Sequence, residues 1–263
     1  LYVADSGNHR VQAFDVKDPA APRLVKTYGQ SGVRGSGAGQ LRDPAGMIAN
    51  WRGDLYVADC GNDRVVHYAT DGTVLGTIGT SGPVAPGQFD CPVDVALNAD
   101  GNLLVLDQGH RTVHEMQPDG TFVRWFSTLT TGPGLPWAID VDESGTIYVA
   151  DAENETYTYE DYFDGWGWSC CVTITHPPGG NNLVRRFAPD GTFLGQWGGY
   201  SDRYLLEGLW ITGDTVFLVD DARVRVNSLD GQEAASLSGA TNVRDVAVDR
   251  FGHVWATGGD KVR

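Results

Sequence analysis

The chain has 263 residues, 41% of them hydrophobic and 10% aromatic, which supplies one substantial core and excludes a disordered polypeptide. Its formal net charge is -15, with lysine only at Lys17, Lys26 and Lys261, so nucleic acid and anionic membrane surfaces are poor partners. No apolar run approaches bilayer-spanning length, and no membrane insertion is expected.

In chain order, "LYVADSGNHRVQAFD" at Leu1 returns as "LYVADCGNDRVVHYATDG" at Leu55 and as "LLVLDQGHRTVHEMQPDG" at Leu103. "IYVADAEN" at Ile147 opens a fourth copy, which an insert separates from its continuation "LVRRFAPDG" at Leu183. A looser copy, "VFLVDDARVRVNSLDG", starts at Val216, and a partial one, "HVWATGGDKVR", at His253. Short apolar strands precede the later copies: "PAGMIA" at Pro44, "PVDVAL" at Pro92, "PWAIDV" at Pro136, "GLWIT" at Gly208 and "VRDVAV" at Val243. Asp-Gly turns and further strands such as "TVLGTIG" and "TFVRWF" follow. Four short alternating strands per unit make a propeller blade, and Asp5, Asp59, Asp107, Asp151 and Asp220 recur at about the 40- to 50-residue period of such repeats once the insert is set aside.

The expected fold is all-β: one six-bladed β-propeller domain over residues 1–263, with incomplete terminal blades and an aromatic-rich insertion at 154–181 in the fourth blade. The opening on Leu1, without methionine or leader, is what a mature or excised piece would show. "ADSGNHRVQAF" and "ADCGNDRVVHY" resemble the NHL repeat family of β-propellers. In such a propeller the turn between a blade's second and third strands shares a face with the connection entering the next blade, around the channel mouth. That places Cys60 near Cys91 and predicts a disulfide between them, the alternative being two unpaired buried cysteines. Cys170 and Cys171 are read as disulfide cysteines too, either joined to each other or paired outside the chain, with a weak zinc reading beside these. Oxidised cysteines imply an extracellular or periplasmic location, and a bacterial source is expected. Asn154-Glu155-Thr156 also permits glycosylation.

The recurrent aspartates, with Asn8, Asn62, Arg10 and Arg64, are read as turn-forming residues of the repeat. Asp94 and Asp245 hold equivalent positions in first strands lining the channel, where they could hold Ca²⁺ or water or bond neighbouring strand ends. Trp137, Trp210 and Arg244 are placed near the mouth, suiting a sugar, peptide or small anion, with interblade packing as the plain alternative. Resemblance to peptidyl-hydroxyglycine amidating lyases would imply channel histidines, but Ala45, Val93, Trp137 and Arg244 stand at the matching positions, and His9, His110 and His176 lie in turns or the insert. Gluconolactonase-like propellers would need a glutamate among their cation ligands, and only Glu207 lies near a first-strand start. Some animal NHL propellers bind RNA through a basic channel face, a use the acidic balance opposes.

The insert's Tyr157, Tyr159, Tyr162, Phe163, Trp166 and Trp168 read as an extended binding loop, because aromatic side chains supply contact area at small entropic cost. Its plain alternative is packing onto the propeller or self-association. The expected function is recognition of a protein, peptide or glycan without a cofactor. The second reading is a metal-dependent lyase or hydrolase with calcium or zinc in the channel.

Overall fold

Short apolar strands separated by tight turns pair antiparallel within each blade. The Asp-Gly turns show how. At Asp71-Gly72, Gly72 takes φ 89° and donates to the Ala69 carbonyl, while the Asp71 carboxylate accepts the Thr73 N–H at 2.8 Å. A side chain other than hydrogen is strained at that φ, which is why glycine closes the turn.

The computed structural model describes residues 1–128, 134–152, 156–163, 168–175, 182–200, 206–220, 223–237, 243–249, 251–258 and 261–262. The first sheet joins β1 (Tyr2–Asp5), β2 (Arg10–Asp15) and β3 (Arg23–Gly29). The second joins β4 (Pro44–Ala49), β5 (Leu55–Asp59), β6 (Arg64–Tyr68) and β7 (Val74–Ile78). A short parallel pair, β8 (Thr80–Ser81) and β9 (Gln88–Phe89), leads to the third sheet of β10 (Pro92–Leu97), β11 (Leu103–Asp107), β12 (Thr112–Met116) and β13 (Phe122–Ser127). The fourth sheet joins β14 (Leu135–Val141) and β15 (Ile147–Ala152) to two strands beyond the insert. The insert itself contributes β16 (Thr156–Phe163) and β17 (Trp168–Thr175), after which β18 (Asn182–Phe187) and β19 (Phe193–Tyr200) complete that blade. Next come β20 (Leu206–Thr212), β21 (Thr215–Asp220), β22 (Arg223–Ser228) and β23 (Glu233–Leu237). The last sheet holds β24 (Val243–Val248), β25 (Val254–Gly258) and β26 (Lys261–Val262).

The core lies between successive sheets. Ala58, Val65 and Ile78 of the second sheet pack with Phe89 of β9 and with Val95 and Met116 of the third sheet, and the same face-to-face stacking recurs along the chain. Full burial of side chains such as Leu103 and Leu106 contributes about 1.5–3 kcal/mol each. This is the architecture of a β-propeller. Among the described residues, five sheets carry an innermost strand, β4, β10, β14, β20 and β24, against the six blades expected, and the first sheet lacks one, as expected of an incomplete terminal blade.

The insert also differs from its expected form. Instead of an extended loop, residues 156–175 form a two-stranded hairpin in which Tyr159 faces Val172 across the ladder and Phe163 faces Trp168. "TYTYEDYF" and "WSCCVTIT" are rich in aromatic and β-branched residues, which favour extended backbone. Trp166 lies outside the described residues, and so do the side chains of the other insert aromatics and of Cys170 and Cys171.

A candidate binding face around the channel

The first five sheets each anchor the mouth of the channel with one aspartate, whereas the last carries Gly258 at that position. Asp59 is fully buried at the end of β5, where its Oδ2 accepts from Asn62 Nδ2 at 2.8 Å and from Arg64 Nε at 2.8 Å. Its Oδ1 accepts the Arg42 N–H at 2.6 Å, tying down the chain just before it enters β4. Arg64 reaches on to the Ser36 and Gln40 carbonyls. The unit recurs with other partners: His110 on Asp107 at 2.8 Å, Arg185 on Asp151 at 3.0 Å and Arg225 on Asp220 at 2.8 Å. The recurrent aspartates are thus parts of the turn and strand-entry architecture, as are Asn8 and Arg10 on Asp5. His9 accepts the Asp43 N–H within the same framework, and His176 lies outside the described residues.

The disulfide lies on this face. Cys60 begins the turn after β5, Cys91 immediately precedes β10, and the two are bonded across 31 residues. Cys91 takes φ 56° and donates its N–H to Asp63 Oδ1 at 2.9 Å, so the repeat turn itself presents one cysteine to the other. The insert rises at the same end of its blade, because Ala152 and Asn182 pair with each other and Ala152 pairs with Leu135 at the start of β14.

Deeper in the channel, the later halves of the innermost strands enclose a cavity of about 290 Å³ lined by Ile48, Asp94, Asp140, Trp210, Asp245 and Trp255 among others. Asp94 and Asp245 hold the same register position, two residues into their strands and just past a bulge. Asp94 Oδ1 accepts the Val95 N–H at 2.8 Å, and its Oδ2 accepts the Ile139 N–H of the next blade at 2.9 Å. Asp140 repeats the device two residues further along, accepting from Val141 at 2.8 Å and from Ile211 of the following blade at 2.6 Å. Asp94 and Asp140 therefore each clamp one innermost strand to its successor. Glycine makes room for these groups: a Cβ on Gly46 would stand 2.0 Å from Asp94 Oδ1, and one on Gly208 would stand 3.0 Å from the Asp245 Cα.

Burial pushes the Asp94 carboxyl well above the usual carboxylate range, against hydrogen bonds from Ile139 and Val95 that favour its charge, and nearby Asp245 and Asp140 add to the rise. Asp140 rises to about 7, with burial again the largest cause. Asp245 rises to about 6 through burial. Asp245 lines the cavity, and the surrounding blades desolvate its carboxyl. Among the described residues, no group of three or more His, Cys, Asp or Glu side chains is arranged to hold a metal ion. Both Asp94 oxygens are already engaged by backbone donors, so this residue fits the strand-clamping role better than metal ligation.

The remaining candidate residues separate by depth. Trp210 lines the cavity at the level of Asp140. Arg244 forms an ion pair with Glu207 of the neighbouring blade. Trp137 stands at the bulge near the root of the insert, and its indole N–H is buried without a hydrogen-bond partner among the described residues. Asp140 escaped the sequence reading because alignment on Pro136 placed Ala138 opposite Asp94. The shared Asp-Val pairs at Asp94, Asp140 and Asp245 were the available signal.

Fold and channel geometry define a β-propeller, and residues 41–68 match the NHL repeat. Human NHL repeat-containing protein 3 is 28% identical over 157 residues, which cover 53% of this chain and 44% of the human protein. The chain therefore spans less than half the length of that relative. Among solved structures, a crystal structure of a nidogen/laminin complex matches 98% of this chain and 84% of its own at a TM-score of 0.67 and 15% identity. A streptogramin B lyase structure matches 99% and 87% at a TM-score of 0.60 and 9% identity. At these identities the structural matches establish the fold alone.

Proposed function

We propose that this propeller is an extracytoplasmic recognition module that binds a protein, peptide or glycan at the mouth of its channel, with the hairpin of residues 156–175 as the principal contact. The observation that carries this reading is the hairpin itself. It interrupts one blade at the second-to-third turn, beside the channel mouth, and its sequence concentrates aromatic residues. A rigid scaffold bearing such a projection meets the requirements of a recognition surface.

The Cys60–Cys91 disulfide supports an oxidising compartment, extracellular or periplasmic. Protein binding also draws support from the nidogen/laminin complex among the matching folds. Metal-dependent hydrolysis or elimination is the weaker reading, since the Asp94 oxygens are committed to backbone N–H groups. Selection of displayed peptides and a glycan array, each run on the chain and on a variant with residues 155–180 replaced by a short Gly-Ser turn, tests the proposal. Ligands that bind the chain and lose the variant support it, whereas equal binding to both removes the hairpin from recognition.

A further inference from the structure

The seam between the second and third sheets holds a buried titratable group that neither the anchors nor the channel use. His114 of β12 is fully buried and pairs with Val105, two residues beyond the partner of the Asp107 anchor. At the same register β18 and β22 carry Arg185 and Arg225, each ion-paired to its own anchor, Asp151 or Asp220. His114 has no such pair, because Asp107 already holds His110 at 2.8 Å and the Asp90 N–H at 3.0 Å. Its Nε2 lies 3.1 Å from Thr112 Oγ1, and its Nδ1 is buried without a hydrogen-bond partner among the described residues.

The ring sits among other rings. Phe89 of β9 lies 5.2 Å from it between centroids, and Phe122 and Trp125 of β13 lie at 6.1 and 6.4 Å. Ala58, Val65 and Ile78 close the seam from the second sheet, while Arg124 of β13 turns away to Glu115. Among the described residues, the titratable groups of this seam stand at its two ends. Asp63, Asp90, Asp107 and His110 lie toward the mouth. Asp54 and Tyr56 flank His67 at the opposite rim, where His67 stacks on Tyr56 at 4.1 Å. A proton on His114 is therefore a buried charge without a counter-ion, and Trp125 stands beyond the distance of about 6 Å at which an aromatic face offsets a cation. The Cys60–Cys91 disulfide crosses the same seam at the mouth.

We propose that this seam is an acid-sensitive latch with His114 as its sensor: a proton on the ring loosens the second sheet from the third, while the Cys60–Cys91 disulfide keeps their mouth ends joined. Burial, helped by the nearby His110, holds the ring's pKa down to about 4 in the closed seam, against 6.5 for an exposed histidine. The open form therefore takes the proton first, and the closed form loses stability as pH falls from about 6.5 to about 4. From this group alone, the open form gains about thirtyfold between pH 7 and pH 5. His67 is the lesser sensor, because burial lowers its pKa while Asp54 opposes the fall.

Hydrogen exchange of the intact, oxidised chain, read by mass spectrometry and corrected for the intrinsic pH dependence of exchange, tests this against His114→Val, since Val66 stands at the same register in β6. Asp107, which burial pushes up to about 6, titrates in both proteins, so the comparison cancels its effect. From pH 7 to pH 5, protection of β6 and β12 should fall about tenfold or more relative to the variant, while β21 and β22 change alike in both. Reducing the disulfide should extend the loss to residues 60–62 and 90–92, more at pH 5 than at pH 7. Nuclear magnetic resonance of the parent chain supplies a readout that needs no variant: the His114 ring should stay neutral at pH 5. An unchanged ratio, a loss equal in all sheets, or a ring that titrates near its ordinary 6.5 in the folded chain overturns the inference. Mouth protection indifferent to reduction overturns the part given to the disulfide.

Discussion

Replacing Asp59 by alanine should unfold this propeller far more readily than the same change at Asp5, although both residues serve the same turn. Asp59 is 0% exposed and Asp5 is 24% exposed in their side chains. In Asp59→Ala, the Arg42 N–H, the Asn62 amide and Arg64 Nε lose their acceptor inside the protein. Removing one partner of such a buried ion pair costs about 3–5 kcal/mol, the upper end being moderated because Arg64 keeps the Ser36 and Gln40 carbonyls. In Asp5→Ala, water can solvate Asn8 and Arg10, and a loss of about 1 kcal/mol is expected. Urea unfolding followed by tryptophan fluorescence and by circular dichroism measures both, with the denaturant slope checked for constancy. Costs within about 0.5 kcal/mol of each other would refute the argument that burial sets the strength of the repeated anchor.

Gly46→Ala should destabilise by about 1–3 kcal/mol, because the new methyl meets both the carboxylate and the Cα of Asp94 at 2.0 and 2.7 Å; the same urea assay reads it. Cys91→Ser should cost about 3–4 kcal/mol for the 31-residue loop it opens, and a reductant should lower the Tm of the parent chain but not of the variant. The channel carboxyls predict a pH dependence of defined sign. Asp140 titrates near 7 in the fold and near its ordinary 3.8 when unfolded, so folding takes up a proton between those values. Its contribution therefore becomes increasingly unfavourable as pH rises from about 4 to about 7, and Asp140→Asn should flatten that part of the urea midpoint's pH profile. Elemental mass spectrometry of unchelated protein should find no stoichiometric calcium or zinc, since Asp94 is committed to Val95 and Ile139.

The propeller was legible because its determinants are local and repeated. Asp-Gly turns fix the hairpins, the continuous apolar runs from Leu55 to Ala58 and from Leu103 to Leu106 mark strands buried on both faces, and the shared face of turn and strand entry brings Cys60 to Cys91. What depends on contacts between blades was harder to read. Asp140 performs the clamping role of Asp94 from a place two residues later, and a first strand offset by bulges conceals that equivalence. The pairing of Arg244 with Glu207 joins residues 37 apart that share no motif. In the insert, aromatic content drew attention to recognition and away from the extended-backbone preference of Thr156–Phe163 and Trp168–Thr175, whose ladder makes it a hairpin.

The central claim is that the hairpin on the mouth face is the recognition element. Its most direct test is to select ligands from peptide and glycan libraries on the intact chain, then measure each affinity for the variant with residues 155–180 replaced by a Gly-Ser turn. Circular dichroism should confirm that the blades remain folded. The account predicts that the selected ligands lose at least tenfold in affinity while the variant keeps its Tm within a few degrees, a free-energy difference of about 1.4 kcal/mol or more at the hairpin alone. Unchanged affinities on a folded variant would contradict it and move recognition to the channel or the outer blades.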